Sequence, residues 1–219
     1  MQPTRQLPNT RLREPGSSGS GPAPLIPATA RGEATRRKLL DAAEIEFGQR
    51  GYHNASVSSI TTRAGVGQGT FYLYFHSKEE IFVTLVHDIG ARLRKHTAQA
   101  VSHRRPRMDA ERAGLVAFFD FAQSHPGLYR IVQECQFVDE NVYRTYYERL
   151  ALGYSRGMAE ATERGELKPG DAEVRTWAMM GIGHFVGMKH CLWQGAVPDS
   201  AVVDELMELI AHGMAPTRR

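Results

Sequence analysis

Apolar residues recur along this chain at three- and four-residue steps, the spacing that puts side chains on one face of an α-helix. Leu39, Leu40, Ala43 and Phe47 mark a first helix opening near Glu33, and Gly51 is its natural stop. Val57, Ile60 and Ala64 share the buried face of a second, short helix, and a third runs from Gln68 to Tyr74. From Ser77 a long stripe of Ile81, Phe82, Leu85, Val86, Ile89 and Leu93 extends to about Ser102, enough to join two parts of a molecule rigidly, before Pro106 breaks it. Asp109 to Ser124 carries Leu115, Phe118, Phe119 and Ala122. Pro126 opens the next helix, with Leu128, Tyr129, Val132, Cys135 and Phe137 inward. Asn141 to Arg164 bears Tyr143, Tyr146, Tyr147, Leu150 and Tyr154 and stops at Gly165. After a Pro169-Gly170 turn, Asp171 or a neighbour starts a helix over Val174 to Gln194, and Pro198 to Met214 is the last, with Val202, Val203, Leu206, Leu209 and Ile210 on its faces. No segment holds a strand pattern, so the expected fold is all-α.

The most specific stretch runs from Ser56 to Glu80, SVSSITTRAGVGQGTFYLYFHSKEE. Two short helical patterns broken by Ala64-Gly65-Val66 make a helix-turn-helix. Ser56 is a good N-cap, its hydroxyl placed to accept from amides two or three residues on. Gly65 fits the left-handed exit of that helix, where a Cβ would be strained. Gly67 and Gly69 let a second polymer approach the backbone closely, and Thr70 and Tyr72 carry hydroxyls for phosphates or base edges. Phe71, Tyr74 and Phe75 are the apolar anchor. Ser77-Lys78-Glu79-Glu80 reads as a capping box, and Lys78 adds a cation to the free amides of a first turn, which suits a phosphate. Near the start of the first helix, Thr35 is placed to touch the DNA backbone. The residues expected at DNA are thus Thr35, Ser56, Val57, Gln68, Gly69, Thr70, Tyr72, His76 and Lys78.

This segment resembles the DNA-binding domain of the TetR family of transcriptional regulators. The resemblance rests on Phe47, Gly51, Tyr52, Ser56, Val57, Ile60, Ala64, Gly65, Val66, Gly69, Thr70, Phe71, Tyr72, Tyr74, Phe75, Ser77, Lys78 and Glu79. Ala55 departs from the usual Thr, Thr61 from Ala, and Gly67-Gln68 from Ser-Lys. Those departures bear on the operator sequence, since Gln68 bonds adenine but brings no charge. The resemblance implies a three-helix DNA-binding domain over residues 32–78, then a ligand-binding and dimerisation bundle over residues 79–219. It also implies that the last two helices pair with those of a second copy.

Charge sharpens the division. Residues 1–107 hold 16 Lys and Arg against 8 Asp and Glu, and residues 108–219 hold 11 against 16. Basic segregation that coincides with a helix-turn-helix favours a polyanion. Residues 1–31, rich in Pro and Gly-Ser, read as a disordered arm whose Arg5, Arg11, Arg13 and Arg31 are available to a minor groove. Arg92, Arg94, Lys95, Arg104, Arg105 and Arg107 cluster far from the motif and read as solvated surface or ligand-phosphate contacts. No apolar run reaches membrane-spanning length and no apolar signal core opens the chain, so a cytoplasmic protein is expected. Cys135 and Cys191 are the only cysteines, without CxxC or zinc spacing, so neither a disulfide framework, a metal nor a cofactor is expected.

An enzyme is not expected: the nucleophile elbow, the zinc-protease signature and the P-loop are all missing, and Gly181-Ile-Gly-His-Phe-Val-Gly187 has the wrong spacing for a dinucleotide loop. His190 and Cys191 are adjacent and point apart, so with His184 they read as pocket or interface lining rather than a metal site. Phe118, Phe121, Tyr129, Tyr146, Trp177, Met180, His184, Phe185, Met188 and Trp193 are each ordinary core residues taken singly. Together they suit an adaptable apolar cavity, and the resemblance points to a ligand there. The block HPGLYRIVQECQFVDENVYRTYYERLALGYSRGM, with GELKPGD and WAMMGIGHFVGMKHCLW, resembles the branch that responds to acyl-CoA thioesters, including regulators of fatty-acid and phenylacetate degradation. Arg130 is the leading partner for the phosphates of such a ligand and Lys189 the reserve, while Arg144 and Arg149 read as surface ion pairs. Val202, Leu206, Leu209 and Ile210 are the expected dimer stripe.

The expectation is therefore a homodimeric repressor that binds a palindromic operator in double-stranded DNA and leaves it when an acyl-CoA enters the bundle. One alternative is a multidrug-efflux regulator holding an organic cation with Glu134, Asp139 and the aromatics. A second is a small-molecule-binding protein that no longer binds DNA.

Overall fold

A computed structural model describes residues 29–101 and 106–214, and every regular element among them is helical. Residues 1–28 of the expected arm, with Arg5, Arg11 and Arg13, lie outside the described residues, as do Arg104 and Arg105. Arg31 belongs to the first turn of α1 (Ala30–Asn54), whose N-cap Thr29 accepts from the Gly32 amide at 3.1 Å. Leu39, Leu40, Ala43 and Phe47 are buried, as their spacing demands. Gly51, the expected stop, is instead a kink: its φ of 77° breaks the helix and the chain resumes as far as Asn54.

Helices α2 (Val57–Ala64) and α3 (Gln68–Tyr74) form the helix-turn-helix. Gly65 takes the left-handed conformation between them, φ 67° and ψ 35°. Ile60, Phe71 and Phe75 are buried with Phe47 and Phe82, so α1, α2, α3 and the start of α4 share one core. Helix α4 (Lys78–Ala100) has 23 residues, about 35 Å at 1.5 Å each, and carries Ile81, Phe82, Leu85, Val86, Ile89 and Leu93 from that core into the second half of the molecule. Its cap differs from the expected box. Ser77 Oγ accepts from the Glu80 amide, but the Glu80 carboxylate accepts from the amide and ring of His76 rather than from Ser77.

The bundle comprises α5 (Arg107–Ser124), α6 (Leu128–Val138), α7 (Glu140–Glu163), α8 (Ala172–Gly187) and α9 (Ser200–His212). Asp139, Asp171 and Asp199 cap α7, α8 and α9 by accepting from amides of the first turn. Helix α6 packs against both α1 and α7, α5 against α4, α8 and α9, and α7 against α8. The single helix expected over Val174 to Gln194 changes register at Met188, where a π-helical turn (Met188–Trp193) follows α8. Phe137, expected inward, is 85% exposed at the end of α6.

A buried charge holds the helix-turn-helix to α1. The Glu46 carboxylate is 2% exposed and takes the Arg63 guanidinium of α2 at 2.6 Å and that of Arg50 at 3.2 Å. Burial alone raises its pKa, but hydrogen bonds from Arg63 and Ser59 and the charges of Arg50 and Arg63 outweigh that and hold it below its ordinary 4.5. A carboxyl with a depressed folded pKa contributes stability above its unfolded pKa and loses it as pH falls through the folded value. Glu46→Gln is therefore expected to cost about 1.5–3 kcal/mol at neutral pH, the range for hydrogen bonds to a charged group. In urea melts the difference from wild type shrinks as pH falls below the ordinary carboxylate range; a pH-independent difference would contradict the assignment.

Candidate DNA-contacting face and ligand groove

The outer face of α3 is open. Gln68 and Gly69 are exposed, Tyr72 and Leu73 are each 54% exposed, and Thr70 is half-buried behind them. Phe71 on the opposite side fixes this short helix in the core, so its polar face is held by packing rather than by its own length. Gly67 and Gly69 have open space where a Cβ would stand, so their backbones are free to meet a polymer. Ser56 and Ser59 cap α2 reciprocally, each hydroxyl accepting the other's amide at 3.0 and 3.1 Å, while Val57 packs against the core. Thr35 donates to the Arg31 carbonyl at 3.0 Å. His76 is bonded to Glu80 through its ring at 2.9 Å.

Lys78 does not match the sequence expectation. Its ammonium donates to the carbonyls of Tyr52 at 2.8 Å and Ala55 at 3.1 Å, with His53 at 3.4 Å, and it lies 4.4 Å from the centre of the Tyr52 ring. Three N–H donors have three protein acceptors, so the residue ties α4 to the end of α1 rather than presenting a free cation. Sequence spacing placed Lys78 at a helix start but carried no sign that the chain around Tyr52 folds back over it.

A groove of about 510 Å³ runs along the contact of α7 with α8. Tyr143, Arg144, Tyr147 and Glu148 line it from α7, and Trp177, Met180, Gly181, His184 and Phe185 from α8. Both sets repeat at three- and four-residue steps, so each is one helical face. Gly181 has nothing within 4 Å of where a Cβ would stand, which leaves room between the walls. Tyr143 and Tyr147 meet edge to face at 5.1 Å, and Tyr147 lies 6.3 Å from the His184 ring. Burial pushes the Tyr147 phenol up and the His184 imidazole down, so both are neutral at pH 7. Arg144 forms no ion pair among the described residues. The volume falls within that of small-molecule sites, with an aromatic lining and few charges.

Of the residues expected at a ligand, Trp177, Met180, His184 and Phe185 meet in this groove. Phe121, Tyr129 and Tyr146 are instead buried in the packed core, and Phe118 is wedged beside Gly183 and Gly187. Met188 accepts from Gln133 on α6, and Lys189 is exposed outside the groove. Arg130 points away altogether, donating to the carbonyls of Gly48 at 3.2 Å and Gln49 at 2.7 Å on α1. Glu134 and Asp139, proposed for an organic cation, are likewise engaged, at the Tyr52 amide and the cap of α7. Sequence reasoning missed Tyr143, Arg144, Tyr147, Glu148 and Gly181 as a set. The signal was present, because Tyr143 and Tyr147, and Arg144 and Glu148, are four apart.

On α9, Leu206 and Ile210 turn partly inward against Val203 and Leu115, leaving Val202 and Leu209 half-buried beside them. More apolar surface is bare along α8 and its π-helical turn, where Val174 is 65% and Trp193 69% exposed. No group of three His, Cys, Asp or Glu side chains among the described residues is arranged for a metal, and no described helix is long and apolar enough to cross a membrane.

Comparison with known proteins agrees with this architecture. Residues 39–85 match the family of bacterial regulatory proteins called tetR. The HTH-type transcriptional regulator YdgC of Bacillus subtilis is 50% identical over 68 residues, 31% of this chain and 35% of that protein. FasR of Mycolicibacterium smegmatis, an HTH-type transcriptional activator, is 34% identical over 105 residues, 48% of each chain. The matches therefore span about a third to a half of these relatives. Across the fold, the transcriptional regulator FadR of Bacillus subtilis, solved in complex with stearoyl-CoA, superposes with a TM-score of 0.70 at 19% identity, covering 82% of this chain and 99% of that one. The helix-turn-helix here thus lies in a segment, residues 39–85, that is a domain of the tetR family of bacterial regulatory proteins.

Proposed function

We propose that this chain is a transcriptional repressor that binds a palindromic operator as a homodimer through α2 and α3 and leaves it when an acyl-CoA occupies the groove between α7 and α8. The observation that carries the ligand reading is the pairing, in one groove, of an aromatic wall with an Arg144 guanidinium that no carboxylate among the described residues claims. A long acyl chain gains about 0.8 kcal/mol for each methylene taken out of water. Its nucleotide end needs a cation able to bond phosphate through two N–H groups, which a guanidinium supplies. Arg144 thus takes the role expected of Arg130. The likeness to a FadR that holds stearoyl-CoA supports the same class of effector.

The dimer reading rests on the bare face of α8. Val174 and Trp193 lie beside the groove wall rather than in it, and a second copy laid along α8 and α9 would remove them from water. Two copies related by a twofold axis present two α3 helices to two half-sites, which is why a palindrome is expected. Effector releases DNA if it binds more tightly to a dimer whose α3 helices are wrongly spaced for those half-sites. The domain division that follows is DNA binding over residues 32–78 and ligand binding and dimerisation over residues 79–219.

Three outcomes test this. On an operator selected from random duplexes, Gln68→Ala is expected to relax base preference by about 1–3 kcal/mol, the worth of one good bidentate base contact, with little change in salt dependence. A uniform loss over all sequences would make Gln68 a backbone contact. Val174→Glu is expected to give monomers in analytical ultracentrifugation; an unaltered dimer would move the interface elsewhere. In a fluorescence-anisotropy titration, palmitoyl-CoA is expected to release wild-type protein from the operator while palmitate does not. Arg144→Ala should raise the concentration required by about tenfold, the loss of one charge-assisted bond, at unchanged operator affinity. Release by palmitate or by a cationic dye with palmitoyl-CoA inert would overturn the thioester assignment, and the dye result would turn attention to Glu148.

A further inference from the structure

Arg92, Lys95, His96 and Gln99 fall three and four residues apart on one face of α4. The end of α5 meets that face with Phe121, Ser124 and His125. Between them lies a cavity of about 250 Å³ that shares no lining residue with the groove along α7 and α8. Two members of the basic cluster far along α4, Arg92 and Lys95, therefore face a concave surface rather than open solvent.

The walls are fixed. The His125 ring lies against the Phe121 ring, with centroids 3.9 Å apart and planes 15° from parallel, and the His96 ring approaches Phe121 at 5.7 Å. Both nitrogens of His125 are engaged, because the Phe121 carbonyl 2.8 Å from Nδ1 can only accept and the Arg92 guanidinium 3.0 Å from Nε2 can only donate. The proton of this ring thus sits on Nδ1, and neither nitrogen is left for a ligand. The Ser124 hydroxyl donates to the Asp120 carbonyl at 2.8 Å and has no second proton to offer. The donors that remain stand on α4.

Their charge selects what fits. No lining residue is acidic. Arg92 is balanced by Glu44 at 2.6 Å and Asp88 at 2.9 Å. Lys95 and His96 are exposed and form no ion pair among the described residues. An ammonium without a carboxylate partner beside ring surfaces suits a flat molecule carrying a single negative charge. The volume lies below the usual range for drug-sized ligands, so the molecule is small and an acyl-CoA is excluded by size. A phosphate dianion would find one unshared counter-charge and would have no use for the rings.

We propose that the cavity between α4 and α5 binds a small aromatic carboxylate, its ring against the wall of His96, Phe121 and His125 and its carboxylate at Lys95, His96 and Gln99. The two oxygens accept from the Lys95 ammonium and from N–H groups of the His96 ring and the Gln99 amide, with the ammonium bond the strongest of the set. This assignment is independent of the acyl-CoA reading, since the two sites have no residue in common.

The test titrates full-length protein, carbon-13 labelled at its histidine rings, with benzoate, benzamide and inorganic phosphate, and follows the ring signals by NMR. Benzoate is expected to move the His96 and His125 signals saturably while His184 in the groove stays in place, with a dissociation constant on the order of 1 mM for so few atoms. Lys95→Met keeps the apolar stem and should raise that constant by about tenfold, the lower end for one charge-assisted bond. His96→Phe keeps a ring without an N–H and should raise it by about threefold. Benzamide binding as tightly as benzoate, or an unchanged constant in Lys95→Met, overturns the role of charge. Phosphate binding as tightly as benzoate overturns the aromatic body. Movement of His184 without His96 would place benzoate in the groove, and no saturable shift at concentrations about tenfold above the expected constant would leave the cavity without this ligand class; either result overturns the site.

Discussion

The separation of α1 from α6 is set by backbone meeting backbone at Gly48 and Gly127. Close-packed interiors transmit displacement because there is little free volume to absorb it. Here the contact is tighter than any pair of side chains permits, and it sits where the DNA-binding helices adjoin the bundle. The buried stripe of α4 runs through the same core, so Phe47, Phe82, Leu85 and Ile131 belong to one continuous apolar cluster spanning both functional halves. The packing therefore runs on past residue 78 without a break.

Electrostatics around this junction are almost fully paired. Arg37 bonds Asp41 and Asp88, Arg92 bonds Glu44 and Asp88, and Glu46 holds Arg50 and Arg63. Most of these pairs are partly exposed and individually contribute little. Their shared effect is to fix α1, α2 and α4 in register, with Glu46 the one member removed from water. Four basic and four acidic groups cancel in these pairs, so the basic excess of the first half lies on residues outside them. Arg92, read from sequence as solvated or phosphate-binding, belongs to this internal network.

Helix existence was legible in the sequence nearly everywhere, because the apolar stripes are long and their caps are chemically distinct. Ser56, Gly65, Ser77 and Asp171 each act where their chemistry places them. The failures are local and physical. Gly51 was read as a stop because glycine favours the left-handed region, yet three helical residues follow it, held from α6 by the carboxylate at the Tyr52 amide. The change to π-helical bonding at Met188 leaves no periodic mark over so few residues. Phe137 has the spacing of an inward residue but falls at the last turn of α6, beyond the helices that would cover it.

The proposed groove was half legible in the sequence, for a reason that distinguishes apolar from charged residues. A stripe such as Trp177, Met180 and His184 reveals its face by its period, and that face lines the groove. A cation reveals nothing of its partner, because the carbonyl or carboxylate that claims it comes from distant sequence. Arg130 and Lys78 are both spent on backbone carbonyls contributed by residues 48–55, more than 20 positions away in each case. Arg144, read from sequence as a surface ion pair, lines the groove and forms no ion pair among the described residues. Composition fixes how many charges a chain carries, and packing decides which of them remain available to a ligand.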